Sequence, residues 1–237
     1  MEKLEKMSDF FACRVENYDE HMLCEVEGCR EGYDEHMKAN VEGCKEGYIE
    51  MAQLVPCDTK RLLDLGCGTG LELEPIFRRL PDLSVTGVDL TAAMLRKLKE
   101  KYPDKDLDLI CGDYFNVDFG TERFDCAVSF QTMHHFNREK KTELYKRIYT
   151  SLKKDGVYIE CDYMVETQSE EDHWFSENDR IRKEQGIAAN EFYHYDTPCT
   201  VDNQIEMLKK AGFPFVKKVF RTENTTMLIA GKDDRYV

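Results

Sequence analysis

The sequence has few positive charges, one tryptophan and no long apolar run. Its 33 Lys and Arg residues are outnumbered by 47 Asp and Glu residues, which gives a formal net charge of -14. This balance argues against a nucleic-acid partner, because phosphate backbones are bound by Lys and Arg. No apolar stretch approaches the ~20 residues that span a bilayer, and Met1–Phe11 lacks the apolar segment of a signal peptide. We therefore expect a cytoplasmic protein without nucleic-acid or membrane partners.

Two common glycine-rich nucleotide motifs are also missing. The dinucleotide fingerprint requires a third glycine where this chain has Leu71, and the Gly-Lys-Ser/Thr end of a P-loop does not occur. The chain instead has Arg61–Leu71, in which an apolar run leads into glycines at 66, 68 and 70. Apolar residues at helical spacing follow, so the segment predicts a strand, a glycine turn and a helix. The free N–H groups at such a helix start favour a nucleotide-like ligand.

The pattern Asp64-x-Gly66-x-Gly68-x-Gly70 resembles motif I of the class I S-adenosylmethionine (SAM)-dependent methyltransferases. The resemblance implies an α/β, Rossmann-like fold with a central, mostly parallel seven-stranded sheet and helices on both faces. It also implies a helical N-terminal cap over residues 1–55 and a SAM-binding domain over 56–237. The break in strand–helix alternation at about 164–200 is interpreted as an insertion.

The cofactor residues are assigned by position after successive predicted strands. Ser84–Asp89 ends in an acid 19 residues after Gly70, where a carboxylate can accept hydrogen bonds from ribose hydroxyls. Asp113 follows the predicted strand Leu107–Cys111, where the resemblance implies contact with the adenine amino group. The residues predicted to contact SAM are Asp64, Gly66, Cys67, Gly68, Gly70, Asp89, Leu90, Asp113, Tyr114, Phe130 and Gln131.

Two adjacent histidines follow the predicted strand Phe124–Phe130. Similar His-His-Phe stretches in the family line the SAM and substrate pocket, so His134 and His135 are candidate catalytic residues. Each can alternatively be a packed, hydrogen-bonded histidine, whereas a catalytic base would titrate near neutrality. The chain has no Asn/Asp-Pro-Pro-Tyr/Phe tetrad, which counts against methylation of nucleic-acid base amines.

A 15-residue unit occurs twice, as Tyr18–Gly32 and Tyr33–Gly47. The unit is acidic and is predicted to be helical, with glycines that interrupt it. Its His and Cys residues suggest zinc, but no standard zinc spacing is matched, and no metal site is predicted. Ten cysteines without any Cys-x-x-Cys are interpreted as reduced thiols. Related methyltransferases carry one such segment over the SAM pocket, so Tyr18 or Tyr33 is a candidate substrate contact.

The segment after the fifth predicted strand offers the other substrate candidates. A polar helix, Ser169–Gln185, holds the only tryptophan, Trp174, and is followed by Glu191–Pro198. Trp174, Tyr193 and Tyr195 are predicted to form a substrate wall, with a packed loop as the alternative. Upstream, Lys153–Gly156 is predicted to end the helix Arg138–Leu152, because basic residues and glycine are typical of helix ends.

These expectations favour a SAM-dependent methyltransferase that acts on a small molecule. In-line transfer of the electrophilic methyl group requires mainly alignment of the donor and acceptor. Three alternatives remain open at this point. They are a nicotinamide-dependent dehydrogenase, a non-catalytic SAM-binding or metal- or thiol-sensing protein, and an RNA-modifying methyltransferase. The sequence does not indicate an oligomeric state.

Overall fold

The structure of the protein is a computed structural model that describes residues 3–20, 33–188 and 191–235. For residues 16–20 it describes the backbone only. The side chain of Tyr18 and most of the first repeat copy therefore lie outside the described residues. No helix in the described ranges is long and apolar enough to cross a membrane.

A seven-stranded sheet forms the centre of the molecule, with the strand order β3-β2-β1-β4-β5-β7-β6. Strands β1 to β5 pair in parallel, whereas β7 runs antiparallel to both β5 and β6. The predicted Rossmann-like, mostly parallel fold is confirmed. The strands are β1 Arg61–Leu65, β2 Ser84–Asp89, β3 Asp106–Cys111, β4 Phe124–Phe130, β5 Leu152–Tyr163, β6 Phe215–Thr222 and β7 Thr225–Gly231.

Helices cover both faces of the sheet and bury one apolar cluster on each face. One cluster holds Met51, Ile76 and Leu98, and the other holds Leu144 and Leu208. Each face is closed by helices from separate parts of the chain, as an α/β sandwich requires. The helices are α1 Met7–Glu20, α2 Tyr33–Ala39, α3 Cys44–Leu54, α4 Leu73–Arg79, α5 Ala92–Lys101, α6 Arg138–Ser151, α7 Gln168–Gln185 and α8 Val201–Ala211.

The start of β5 differs from the sequence-based prediction. Lys153–Gly156 does not end a helix but lies inside β5, because α6 stops at Ser151 and the chain becomes extended at Leu152. Leu152 is completely buried and pairs with Phe124 of β4. Burial of this side chain in the sheet therefore overrides the helix-end pattern of lysines and glycine that follows it.

The second repeat copy forms α2 and the start of α3, and it packs directly on the sheet. Although the unit is acidic, Met37 and Cys44 belong to the same apolar cluster as the sheet residue Ile159. Gly43 adopts φ 77° between α2 and α3. A β-carbon on Gly47 would lie 3.1 Å from the ring of Phe130, so the absence of a side chain sets how closely α3 approaches. The cap thus shares the core of the sheet domain.

Candidate active site

The glycine turn follows β1 at the carboxyl edge of the sheet, where ligands of open α/β sheets bind. Gly66, Gly68 and Gly70 all have positive φ, at 67°, 48° and 73°. A β-carbon on Gly66 would lie 2.4 Å from Thr132 Oγ1, whereas one on Gly68 would meet nothing closer than 3.9 Å. Gly66 therefore permits close packing of the turn, and Gly68 leaves the backbone open to a ligand.

Asp89 at the end of β2 fixes this turn. Its Oδ2 accepts a hydrogen bond from Gly68 N at 2.9 Å, and its Oδ1 accepts one from Thr91 N at 2.8 Å. Burial raises the pKa of Asp89, although these two backbone N–H groups act against the shift. Each carboxylate oxygen can accept more than one hydrogen bond, so Asp89 can also accept from a bound ribose.

A cavity, here called the glycine-loop cavity, opens beside this turn. Eight of the eleven predicted cofactor residues line it, namely Gly66, Gly68, Asp89, Leu90, Asp113, Tyr114, Phe130 and Gln131. They are brought together because each follows or ends one of the strands β1 to β4. Sequence reasoning missed Thr91, Met94, Gly112 and Thr132, which also line the cavity. Thr91, Gly112 and Thr132 are each adjacent to a predicted residue, so the strand ends could have indicated them, and Met94 lies four positions after Leu90 in α5.

The other three predicted cofactor residues, Asp64, Cys67 and Gly70, do not line the cavity. Cys67 is buried, and its sulfur would lie 2.9 Å from a β-carbon on Gly87. Gly70 packs against Leu98 and accepts a hydrogen bond from the Tyr102 hydroxyl at 2.9 Å through its carbonyl oxygen. These contacts place both residues in the packing behind the turn, so their role at the cofactor stays a prediction.

Asp64 forms a buried acidic pair with Glu72 behind the glycine turn. Both carboxyl groups are nearly inaccessible, and neither oxygen of Asp64 has a hydrogen-bond partner among the described residues. Burial raises the pKa of both groups, and the charge of Glu72 adds to the shift on Asp64. Burial thus favours the neutral form of these carboxyl groups, because a buried charge without a partner is costly.

A second cavity, here called the cap cavity, lies next to the first. Its walls come from α1, from α2 with the following turn, from the histidine loop and from the segment 192–196. Phe11, Tyr33, Gln131 and His135 line both cavities, so they form the shared wall. Tyr33, from the second repeat copy, therefore lies in this wall, whereas the side chain of Tyr18 is outside the described residues.

Alternate residues of the segment after α7 face the two cavities. Phe192 lines the glycine-loop cavity, and His194 and Asp196 line the cap cavity. Tyr193 and Tyr195 line neither cavity, because successive residues of an extended chain point to opposite sides. Trp174 also lies away from both cavities, and its ring centre is 6.4 Å from that of Tyr195. The predicted substrate role of these three aromatic residues stays a prediction that this geometry does not support.

The two histidines have different environments. His134 is buried, and its Nδ1 is hydrogen-bonded to the carboxylate of Asp162. Burial lowers the pKa of His134, but the charges of Asp162 and Asp196 outweigh that effect and raise it overall. The pKa of His135 is lowered by burial and by the neighbouring charge of His134. His135 is thus a neutral imidazole near pH 7 and can accept a proton, whereas His134 is held by carboxylates.

Comparisons with known proteins agree with this architecture. Residues 62–156 match the model of a family described as a methyltransferase domain. A carboxy-S-adenosyl-L-methionine synthase of Nautilia profundicola is 26% identical over 198 residues, which cover 74% of this chain and 78% of that protein. A second synthase of the same name, from Campylobacter hominis, is 25% identical and covers 73% and 77%.

Solved structures show the same fold. A putative O-methyltransferase of Nostoc punctiforme superimposes with a TM-score of 0.62 at 22% identity, covering 82% of this chain and 56% of that one. Human N-acetylserotonin methyltransferase in complex with SAM gives a TM-score of 0.57 at 16% identity, covering 79% and 51%. The chain thus spans little more than half the length of these two proteins.

The motif, the strand order and the cavity at the strand ends therefore agree with the matched family. The predicted enzyme class and cofactor are confirmed by the same comparisons. The comparisons therefore support a class I SAM-dependent methyltransferase, with S-adenosylmethionine as the cofactor.

Proposed function

We propose that the protein transfers the methyl group of SAM to a small molecule that binds in the cap cavity. The observation that carries this proposal is the shared wall, because Tyr33, Gln131 and His135 line both cavities. A ligand in the cap cavity would therefore lie next to the cofactor, at the wall that these three residues form together with Phe11. The predicted entry route is bounded by the cap, the histidine loop and residues 191–198, and all three contribute to the cavity.

Residues of the glycine-loop cavity would hold the cofactor by complementary chemistry. Asp89 would accept hydrogen bonds from the ribose hydroxyls, and Asp113 would accept one from the adenine amino group. The bound cofactor supplies an electrophilic methyl group on sulfur. The protein's own contribution is to align the acceptor with that methyl group and to exclude water.

His135 is the residue we assign to proton removal from an O–H or N–H acceptor. It lies in the shared wall, and its lowered pKa leaves the imidazole unprotonated near pH 7. His134 would act indirectly, because its bond to Asp162 fixes the loop on which His135 is placed. A neutral effect of both His134→Ala and His135→Ala on turnover would show that the pair only packs.

Formation of a carboxylated SAM is a second candidate function. Relatives named carboxy-S-adenosyl-L-methionine synthase align over about three quarters of this chain. Among the described residues that line the two cavities, Arg14 is the one Arg or Lys, and a guanidinium is suited to bind a carboxylate. This candidate predicts a small carboxylic acid as co-substrate and an intact, heavier sulfonium as the product.

Mass spectrometry of the products separates these possibilities. The purified protein would be incubated with methyl-deuterated SAM and with small-molecule extracts, tRNA or folded proteins. Methyl transfer predicts the labelled methyl group on a small molecule together with the demethylated cofactor. The variant His135→Ala should lower turnover, whereas His173→Ala on the exposed face of α7 serves as the matched control. Labelling of tRNA or protein alone would contradict the proposed acceptor class.

A further inference from the structure

Three side chains at the edge of the cap cavity bring their polar atoms together. Asp196 Oδ1 lies 3.3 Å from His135 Nδ1 and 3.5 Å from His134 Nε2. One potential ligand atom from each residue lies within 4.8 Å of the other two. Two imidazole nitrogens and one carboxylate oxygen are a typical ligand set for divalent transition metals.

These atoms converge without forming good hydrogen bonds to one another. His135 Nδ1 and Asp196 Oδ1 are both inaccessible to water and have no hydrogen-bond partner among the described residues. Their 3.3 Å separation is an ion-pair distance. Inaccessible polar atoms without partners are costly, and a shared cation would satisfy both.

The separations fit a shared metal ion better than direct contact. Zinc is bound at about 2.0–2.1 Å by imidazole nitrogen and carboxylate oxygen, usually in tetrahedral geometry. Two ligand atoms on such a tetrahedron lie roughly 3.3 Å apart. The measured 3.3 Å and 3.5 Å separations are close to this value. A hydrogen bond from His134 Nε2–H to Asp196 would in contrast require a shorter distance.

The side of His134 that faces away from the cluster provides an independent observation. Its Nδ1 is bonded to Asp162, whose Oδ2 also accepts a hydrogen bond from Met133 N at 2.6 Å. Metal-binding histidines commonly donate their second ring N–H to a carboxylate, which fixes the tautomer and orients the ring. With Nδ1–H donated to Asp162, Nε2 faces Asp196, and its lone pair becomes available to a metal ion once the Nε2 proton is released.

We propose that His134 Nε2, His135 Nδ1 and Asp196 Oδ1 bind one divalent transition-metal ion of the zinc class. All three residues line the cap cavity, so the remaining coordination positions face the acceptor. The proposal deepens the proposed function and rests on it for the identity of the acceptor. It specifies an acceptor with a hydroxyl or enol oxygen that can bind the metal directly.

The metal would change how the acceptor proton is removed. A metal-bound hydroxyl has a lowered pKa, so its proton leaves to solvent and the oxygen stays on the metal as an alkoxide or phenolate. The new O–CH₃ bond then forms as the S–CH₃ bond breaks, and the sulfur keeps the electron pair as a neutral thioether. In the metal-bound protein the lone pair of His135 would bind the metal, so His135 would not remove the acceptor proton. His135 would act as the base only in the metal-free protein.

Metal binding can be tested without any acceptor. The full-length chain would be reduced, freed of metal with a chelator, and titrated with Zn²⁺ by calorimetry and with Co²⁺ by absorption spectroscopy. The exposed thiols Cys13, Cys57 and Cys111 are competing ligands, so the Co²⁺ spectrum must lack the charge-transfer band of a thiolate. We expect one equivalent of metal with nitrogen and oxygen ligands. Asp162→Asn should weaken its binding about 10- to 100-fold, and Asp196→Asn should weaken it at least as much.

The controls separate this proposal from others. Asp196 is partly exposed, so Asp196→Asn should fold, and equal melting temperatures of the metal-free variants would confirm it. His173→Ala should bind metal like the wild type. Binding that is unchanged in Asp196→Asn, or a thiolate spectrum, would overturn the site. Absence of binding by the wild type would also overturn it. None of these readouts depends on methyl transfer, which is tested by its products.

Discussion

Deletion of one repeat copy tests whether the two copies are interchangeable. The deletion Tyr33–Gly47 removes α2 and the start of α3, but it places Tyr18–Gly32 directly before Tyr48. The copies are identical at every position that is buried in the second copy, namely Met37, Gly43, Cys44 and Gly47. After the deletion, Asn17 connects directly to the copy that takes the position of Tyr33. The distance is short, because Tyr33 packs against the cluster that contains Val15. We therefore expect the first copy to occupy the position of the second.

The structure gives the size of the two possible outcomes. The copies differ at four positions, which in the second copy are Lys38, Ala39, Asn40 and Lys45, and all four are exposed. Their exchange removes the ion pair of Lys38 with Glu74, which contributes ~0–1 kcal/mol. If instead no copy packed at this position, the buried contacts of Met37 and Cys44 would be lost, and the core residues that they cover would be exposed. Burial of a side chain such as Met contributes about 1.5–3 kcal/mol, so this outcome costs several kcal/mol.

Thermal unfolding distinguishes these outcomes. In a protein of this size, 1 kcal/mol corresponds to a change of about 2–4 °C in the melting temperature. Deletion of Tyr33–Gly47, or of Tyr18–Gly32 as the matched control, should therefore lower it by no more than about 4 °C. Deletion of both copies, Tyr18–Gly47, should lower it by roughly 10 °C or more. A single deletion as damaging as the double deletion would refute interchangeability.

Four further predictions concern the glycine turn, a buried glutamate and the histidine loop. Asp89→Ala should weaken SAM binding by ~1–3 kcal/mol, because it removes the ribose acceptor and releases Gly68 N–H; unchanged affinity by calorimetry would remove the ribose assignment. Gly66→Ala should lower the melting temperature more than Gly68→Ala, since both have positive φ but only the former clashes with Thr132; equal losses would contradict this. Burial and the charge of Asp162 raise the pKa of Glu160 from 4.5 to about 7. Folded Glu160 thus keeps a proton that the unfolded chain has lost, and the stability contribution is present below pH 4.5 and falls as pH rises to about 7. Urea unfolding of Glu160→Gln should show a flatter pH dependence in this range, and an unaltered slope would count against it. If His135 is the base, turnover by the metal-free enzyme should rise with pH through a pKa below its ordinary value of ~6.5, and an acid-side limb at or above that value would contradict the assignment.

The sequence predicted the elements whose pattern is local. The bounds of β2 and β4 agree with the predicted ranges Ser84–Asp89 and Phe124–Phe130, because each strand is a mainly apolar run next to turn residues. The start of α8 has a similarly local cause, since the side chain of Thr200 accepts a hydrogen bond from Asn203 N. The cofactor residues at the strand ends were predictable for the same reason, as parallel strands end at one edge of the sheet.

The site features that were missed depend on contacts between distant segments. His134 and Asp162 are separated by 28 residues, and Thr197 lies 63 residues from His134, whose carbonyl oxygen it binds. No local pattern indicates which acid will meet which histidine. Tyr193 and Tyr195 were predicted as substrate contacts from their residue type. Composition does not indicate which residues of an extended segment face a cavity, because that direction is set by how the segment is anchored.

The anchoring of the segment 192–196 has a consequence for how acceptor preference could evolve. Met7 N donates to Phe192 O at 3.1 Å, and His194 N donates to Glu5 O at 3.0 Å, so the residues at and just before the start of α1 fix the register of the segment. A one-residue insertion or deletion ahead of Phe192 would shift that register. The residues facing the cavities would then be Tyr193 and Tyr195 in place of the phenyl, imidazole and carboxylate groups. A single-residue insertion or deletion, without any change in the sheet or the cofactor residues, could thus line the acceptor cavity of a descendant enzyme with tyrosine side chains.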